Sequence, residues 1–181
     1  SGFEQALSQL GVPAWLIVVV VSALPISELR GGIPMGMSVL GLQWYYTLPI
    51  AVAGNLLPIP FVLLFCNAVA RVAGRVAFVG RWLDWVFRRT RSNSGLVRKY
   101  QYVGLVLFVA VPLPLTGAYS GAIAAVLCGF SFWRSFLAIG CGVVIAGVIV
   151  TVLTALGWIG ALIAGAVLML LAILGFRRSY K

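Results

Sequence analysis

Ser27-Glu28-Leu29-Arg30-Gly31-Gly32-Ile33-Pro34 sets an acid and a base two positions apart inside a run that is otherwise uncharged from Gln5 to Val69. Charges at bilayer depth cost roughly 2.5 to 3.5 kcal/mol each on insertion scales, so they face protein or water and mark a pathway. The octet also decides the fold, because it divides two apolar runs. Ala14 to Leu24 before it, at about 1.5 Å per residue, reaches only about half of a ~30 Å hydrocarbon core. Gly32 to Leu42 after it is of similar length, with Pro34 in the first-turn position that a helix tolerates. The pattern predicts a re-entrant helical hairpin with Glu28 and Arg30 at its buried tip, allowed where protein or a wet cavity covers the broken backbone. One long kinked span is the alternative.

The surroundings of the octet are those of an integral membrane protein. A chain of 181 residues that is 62% hydrophobic and 9% charged cannot cover a soluble surface. Its net charge of +10 comes from basic residues flanking apolar segments, the positive-inside pattern, and nucleic acid is not an expected partner. Cys66, Cys128 and Cys141 lie in apolar segments at spacings that suit neither a disulfide framework nor a zinc site. Histidine is absent and the acids Glu4, Glu28 and Asp84 are far apart, so the usual hydrolase constellations lack parts. No enzyme, metal site or cofactor is expected, apart from a coupling H+ or Na+. The amino terminus carries Glu4 and no basic n-region, which does not read as a signal peptide.

Beyond the octet, Trp44, Tyr45 and Tyr46 form an interfacial aromatic cluster, and Leu48 to Ala70 is long enough to cross. This segment carries Asn55, read as a helix-to-helix hydrogen bond before a ligand group, and the loosening prolines Pro58 and Pro60. Arg71 to Lys99 holds eight basic residues against Asp84 alone. Val72, Val76, Val79, Leu83 and Val86 share one face there, predicting a basic amphipathic helix on the cytoplasmic membrane surface that meets anionic lipids. From Tyr100 the first pattern returns: a short run to Val111, the breaker Pro112 to Gly117, and a second short run from Ala118 to Phe130. Gly32/Gly36 and Gly117/Gly121 open the two returning limbs, and each limb ends at a glycine followed by a tryptophan, Gly41/Trp44 and Gly129/Trp133. This is an internal repeat.

The expected fold is an all-α integral membrane protein forming a single domain. Repeat 1 covers 12–70, the basic helix 71–99, repeat 2 covers 100–156, and an extra C-terminal helix covers 158–176. With the N-terminus outside and the C-terminus cytoplasmic, every basic residue except Arg30 is cytoplasmic. The first hairpin then enters from outside and the second from inside, giving inverted repeats with a site near the midplane where their broken helices meet.

A hairpin tip presents the first N–H groups of its returning half-helix, which attract anions together with the helix dipole. Thr116 is the natural N-cap of the second half-helix, and Gly31, Gly32 and Gly117 let backbone approach a ligand. Arg30 adds a donor suited to phosphate or carboxylate. With Glu28, Pro34, Asn55, Pro112, Pro114 and Tyr119, these form the candidate substrate and proton site. Glu28 is read as either the fixed partner of Arg30 or a buried acid that takes up and releases a proton.

Glu28-Leu-Arg30-Gly-Gly-Ile-Pro34, Gly54-Asn55, and Pro112-Leu-Pro114-Leu-Thr116-Gly117-Ala-Tyr-Ser-Gly121 together resemble the prokaryotic small multidrug export protein family. That family is similar to a distant branch of the DedA/VTT superfamily. The resemblance implies paired re-entrant hairpins and movement of lipids, notably the carrier undecaprenyl phosphate, in the prokaryotic cytoplasmic (inner) membrane. It matches Glu28 to the acid of the first hairpin and Pro112 to Gly121 to the second. DedA proteins proper carry arginines around the second hairpin, whereas Phe108 to Gly121 has none. The expected function is a transporter or flippase for an anionic amphiphile, foremost a lipid phosphate, working by alternating access. Proton-coupled export of small cationic drugs, which Arg30 opposes, and a non-transporting membrane scaffold are the alternatives; a homo-oligomer stays open.

Overall fold

The computed structural model describes residues 12–73, 95–111, 116–157 and 159–160, the side chains of 70–100 excepted. Helix α1 (Ala14–Ala23) starts after Pro13 and stops at Leu24, which is extended at ψ 135°, as the residue before a proline must be. Residues 25–27 make a turn, and α2 (Glu28–Pro34) follows. The octet is therefore helical from Glu28 onward, and Pro34 ends that helix instead of opening one at Gly32. Gly31 and Gly32 are admitted into it by packing: a Cβ on Gly32 would overlap the Ser22 hydroxyl of α1. Pro34 withholds the N–H that would continue the ladder, and the chain widens into a π-helical turn, Met35–Val39, in which the Leu40 N–H donates to the Met35 carbonyl at 2.9 Å.

Gly41, at φ 66°, then turns the chain into α3 (Trp44–Leu56), and a break at Leu57-Pro58 separates it from α4 (Ile59–Ala73). The second half begins with α5 (Gly95–Ala110), continues with α6 (Ala118–Leu127), and ends with α7 (Phe132–Ala155). No strand occurs among the described residues. Among the described residues, two stretches are long and apolar enough to cross a membrane: Trp44–Val69, of 26 residues, and Phe132–Ala155, of 24. At about 1.5 Å per residue both exceed a ~30 Å hydrocarbon core. By contrast α1, Gln101–Ala110 and α6 are apolar but short.

The core is built from small and branched side chains, with Val18, Ile33, Ala51, Ile59, Ala122 and Ile139 fully buried, while Phe61, Phe65, Leu137 and Val148 face outward. Apolar side chains on both the inside and the outside suit a protein solvated by lipid. The packing is reciprocal: α1 lies along α3 and α5 along α7, while α2 reaches across to α7 and α6 reaches across to α4. Each half thus lays its short second helix on the long stretch of the other half.

The halves also correspond locally, at one constant spacing in sequence. Gly41 and Gly129 share a positive φ, 66° and 69°, and Gln43 and Ser131 lead α3 and α7 with nearly identical extended backbones. Thr47 and Ser135 are buried one turn into those helices. A Cβ on Gly54 would lie 2.7 Å from the Val19 carbonyl oxygen, and one on Gly142 would lie 2.8 Å from that of Val106. These two bare positions allow α1 onto α3 and α5 onto α7. The glycine pairs Gly32/Gly36 and Gly117/Gly121 of the sequence reading fall outside this register, because they are 85 positions apart where the others are 88 apart.

Arg71–Ala73 close α4 and Gly95–Lys99 open α5, so the ends of the expected surface helix belong to its neighbours. The remainder of that helix, residues 1–11, Pro112 and Pro114, and the final span over 158–176, save 159–160, lie outside the described residues.

Candidate functional site

Glu28 is the first residue of α2 and has φ 45°, the left-handed region, which a non-glycine side chain adopts only when its surroundings impose it. Such conformations cost about 1–3 kcal/mol and concentrate at functional positions. The strained backbone delivers a buried carboxylate, 9% exposed, to the opposite half of the molecule. There the carboxylate accepts hydrogen bonds from the backbone N–H groups of Ala118 and Tyr119, the first two residues of α6.

This contact explains how α6 begins. Its N-cap is Gly117, in extended backbone and without a side chain to satisfy the free N–H groups. Glu28 supplies that function from another segment, its carboxyl oxygens set at the positive end of the helix dipole. A Cβ on Gly117 would overlap the carboxylate, so glycine here makes room for Glu28. The expectation that Thr116 caps α6 is corrected: its Oγ1 donates to the Val111 carbonyl at 2.7 Å, and Gly117 holds the cap position.

Arg30, in the first turn of α2, completes the junction by donating from Nη2 to the Thr116 carbonyl. Its charge also acts on Glu28. Tyr119 ties α6 to the end of α1, its hydroxyl donating to the Ala23 carbonyl. Ser27 donates from Oγ to the Val21 carbonyl at 2.5 Å. The Ala23 carbonyl at the end of α1 and the Ala118 and Tyr119 N–H groups at the start of α6 are thereby satisfied across the two halves, and the Val21 carbonyl from within its own half.

Beside this junction lies a cavity of about 10 Å³, lined by Glu28, Arg30, Asn55, Gly117 and apolar side chains of α5 and α7. It has room for about one water-sized group. Asn55 is buried, and its Oδ1 has no hydrogen-bond partner among the described residues. The sequence expectation of a helix-to-helix hydrogen bond is not met at that atom, and Asn55 is one of the residues that line the cavity.

Glu28, Arg30, Asn55, Thr116, Gly117 and Tyr119 are thus brought together. Pro34 stands at the far end of α2, Gly31 packs against Ser27, and Gly32 packs against Ser22. The residues that sequence reasoning missed act through their backbones: Ala118 as a donor and Ala23 as an acceptor, while Tyr119, expected at the site, adds its backbone N–H to its hydroxyl. Their signal was a helix opening on an uncapped Gly117 in a chain with one acid in its apolar part.

A family model described as "Putative small multi-drug export protein" matches residues 28–149, from Glu28 into α7. The chain belongs to this family. The family's description is that of an export protein, in keeping with the two apolar stretches of spanning length among the described residues. The match takes in Glu28, Arg30, Asn55 and the start of α6, and leaves out α1. No curated protein and no solved structure matches the chain.

Proposed function

We propose that this small multi-drug export protein moves an amphiphile with an anionic head, foremost a lipid phosphate, across the prokaryotic cytoplasmic membrane by alternating access between its two halves. The observation that carries this reading is the junction itself, in which Glu28 and Arg30 of one half engage the N-terminal N–H groups and the preceding carbonyl of a helix in the other half. Ion-pairing and hydrogen-bonding groups at such a meeting point are the parts a transporter uses to hold a substrate head and a coupling proton.

The halves are read as inverted repeats, each a re-entrant hairpin, α1–α2 or α5–α6, followed by a spanning stretch. The reciprocal packing of α2 on α7 and α6 on α4, together with the paired turns at Gly41 and Gly129, supports this reading. The cavity of about 10 Å³ is too small for any amphiphile head, so the described conformation is a closed one. Opening separates α2 from α6, and the head enters between them while its tail remains in lipid. The C-terminus and the basic stretch Arg71–Lys99 lie on the cytoplasmic side, where that stretch meets anionic lipid.

The test is transport by the purified protein in phosphatidylcholine liposomes with an imposed proton gradient. A polyprenyl phosphate should change leaflet in a protein-dependent manner, and a lipophilic cation of similar size should not. Translocation of the cation alone would replace this reading with cationic drug export, and translocation of neither would leave a scaffold.

A further inference from the structure

The anion-attracting N-terminus of α6 is already engaged by the chain's own carboxylate. We propose that Glu28 is the resident ligand of an oxyanion site formed by the Ala118 and Tyr119 N–H groups and Arg30, and that the oxyanion head of an amphiphile enters by displacing it, Glu28 taking up one proton and turning to Asn55. This deepens the transport reading above and rests on it.

Three features converge on exchange at this site. The donors are those that bind phosphate and carboxylate wherever they occur together: two backbone N–H groups at the start of a helix of 10 residues and a guanidinium. A glycine at the cap position leaves the approach open, because Gly117 has no Cβ to block it. Glu28 also holds its seat from a left-handed backbone, φ 45°, so leaving it relieves strain.

Asn55 supplies the other side of the exchange. Its Oδ1 is a buried acceptor without a donor among the described residues, and Asn55 lines the same cavity as Glu28 and Arg30. A buried unsatisfied acceptor is costly and calls for an explanation. A protonated Glu28 has one O–H to donate, and Asn55 is the acceptor for it. The proton balance is simple: the carboxylate becomes a carboxylic acid with one proton from water, and the incoming anion replaces its negative charge at α6.

The titratable or charged groups facing Glu28 are Arg30 on its own helix and Tyr119 on α6. The cavity lining from α3, α5 and α7 is uncharged. Anion binding coupled to proton uptake therefore points to Glu28 alone among the acids of the described residues.

Calorimetry on the intact protein in phosphatidylcholine nanodiscs tests this, with decyl sulfonate as the probe because its head stays ionised throughout. Decyl phosphate and inorganic phosphate serve as further arms. Repeating the titration in buffers of different ionisation enthalpy measures proton uptake, which should be close to one per sulfonate bound at neutral pH in the wild-type chain. Glu28→Gln should bind sulfonate about tenfold more tightly with no proton uptake, and Asn55→Leu should bind it more weakly. Binding of inorganic phosphate as tight as that of decyl phosphate would assign the site to a free ion instead of a lipid head. Wild-type binding without proton uptake, or Glu28→Gln binding no more tightly, would overturn the displacement, even if liposome transport of an anionic amphiphile succeeds. Transport failure with intact displacement would instead overturn the transport reading alone.

Discussion

Replacing Gly117 by alanine isolates the contact between the two halves. The backbone there is extended, with φ 162° and ψ −168°, so alanine fits without strain and any effect comes from the added carbon. That carbon would overlap the Glu28 carboxylate, which must then leave the start of α6. Hydrogen bonds to charged groups contribute about 1.5–3 kcal/mol each, and loss of an N-cap alone costs about 0.5–2 kcal/mol. Two N–H donors lose the carboxylate together and water replaces it in part. The expected cost is therefore about 3 kcal/mol, roughly a 150-fold shift in the local opening equilibrium. Amide hydrogen exchange in detergent micelles reads this directly: Ala118, Tyr119 and the first turn of α6 should exchange faster by that factor, while the middle of α7 should not. Gly140→Ala is the control, because a Cβ there meets nothing within 4 Å. Inside a helix it should be neutral or stabilising by up to about 1 kcal/mol. Wild-type protection of α6 in Gly117→Ala would refute the seating of Glu28 at this helix.

Gly54→Ala and Gly142→Ala should each lower the melting temperature in detergent, at a cost of about 1–3 kcal/mol, since each adds a carbon against a neighbouring backbone; similar losses would reflect their equivalent places in the two halves. Tyr119→Phe removes the donor to the Ala23 carbonyl and should cost about 0.5–1.5 kcal/mol in chemical unfolding while leaving transport measurable. With Cys66, Cys128 and Cys141 replaced by alanine, Thr90→Cys should react with a membrane-impermeant maleimide in inside-out vesicles and not in right-side-out cells, which checks the cytoplasmic placement of the basic stretch.

The sequence was most informative where local rules suffice. Apolar runs too short to cross on either side of Glu28 and Arg30, a spanning stretch after Trp44, and turns at Gly41 and Gly129 all follow from length, proline and glycine. The site was legible as a place, since two charges in an apolar run demand partners, but not as an arrangement. Helix-start rules read Gly32 as the beginning of the returning limb, whereas packing of Gly32 on Ser22 and the left-handed Glu28 start it earlier. Capping rules look within a segment, so they assigned α6 to Thr116 and left its N–H groups for a substrate. A carboxylate arriving from the other half, far away in sequence, is invisible to such rules. The same limit hid the register of the two halves: Gly54 and Gly142 correspond because α1 and α5 lie against them, which no spacing within either segment announces.

Glu28 is the proposed switch of an anionic-amphiphile transporter. The most direct measurement is leaflet exchange of a polyprenyl phosphate in proteoliposomes under a proton gradient, comparing the wild-type chain with Glu28→Gln at equal, correctly folded incorporation. Gradient-driven exchange by the wild-type protein and its loss in the variant are expected. Undiminished gradient-driven exchange by Glu28→Gln would contradict that role.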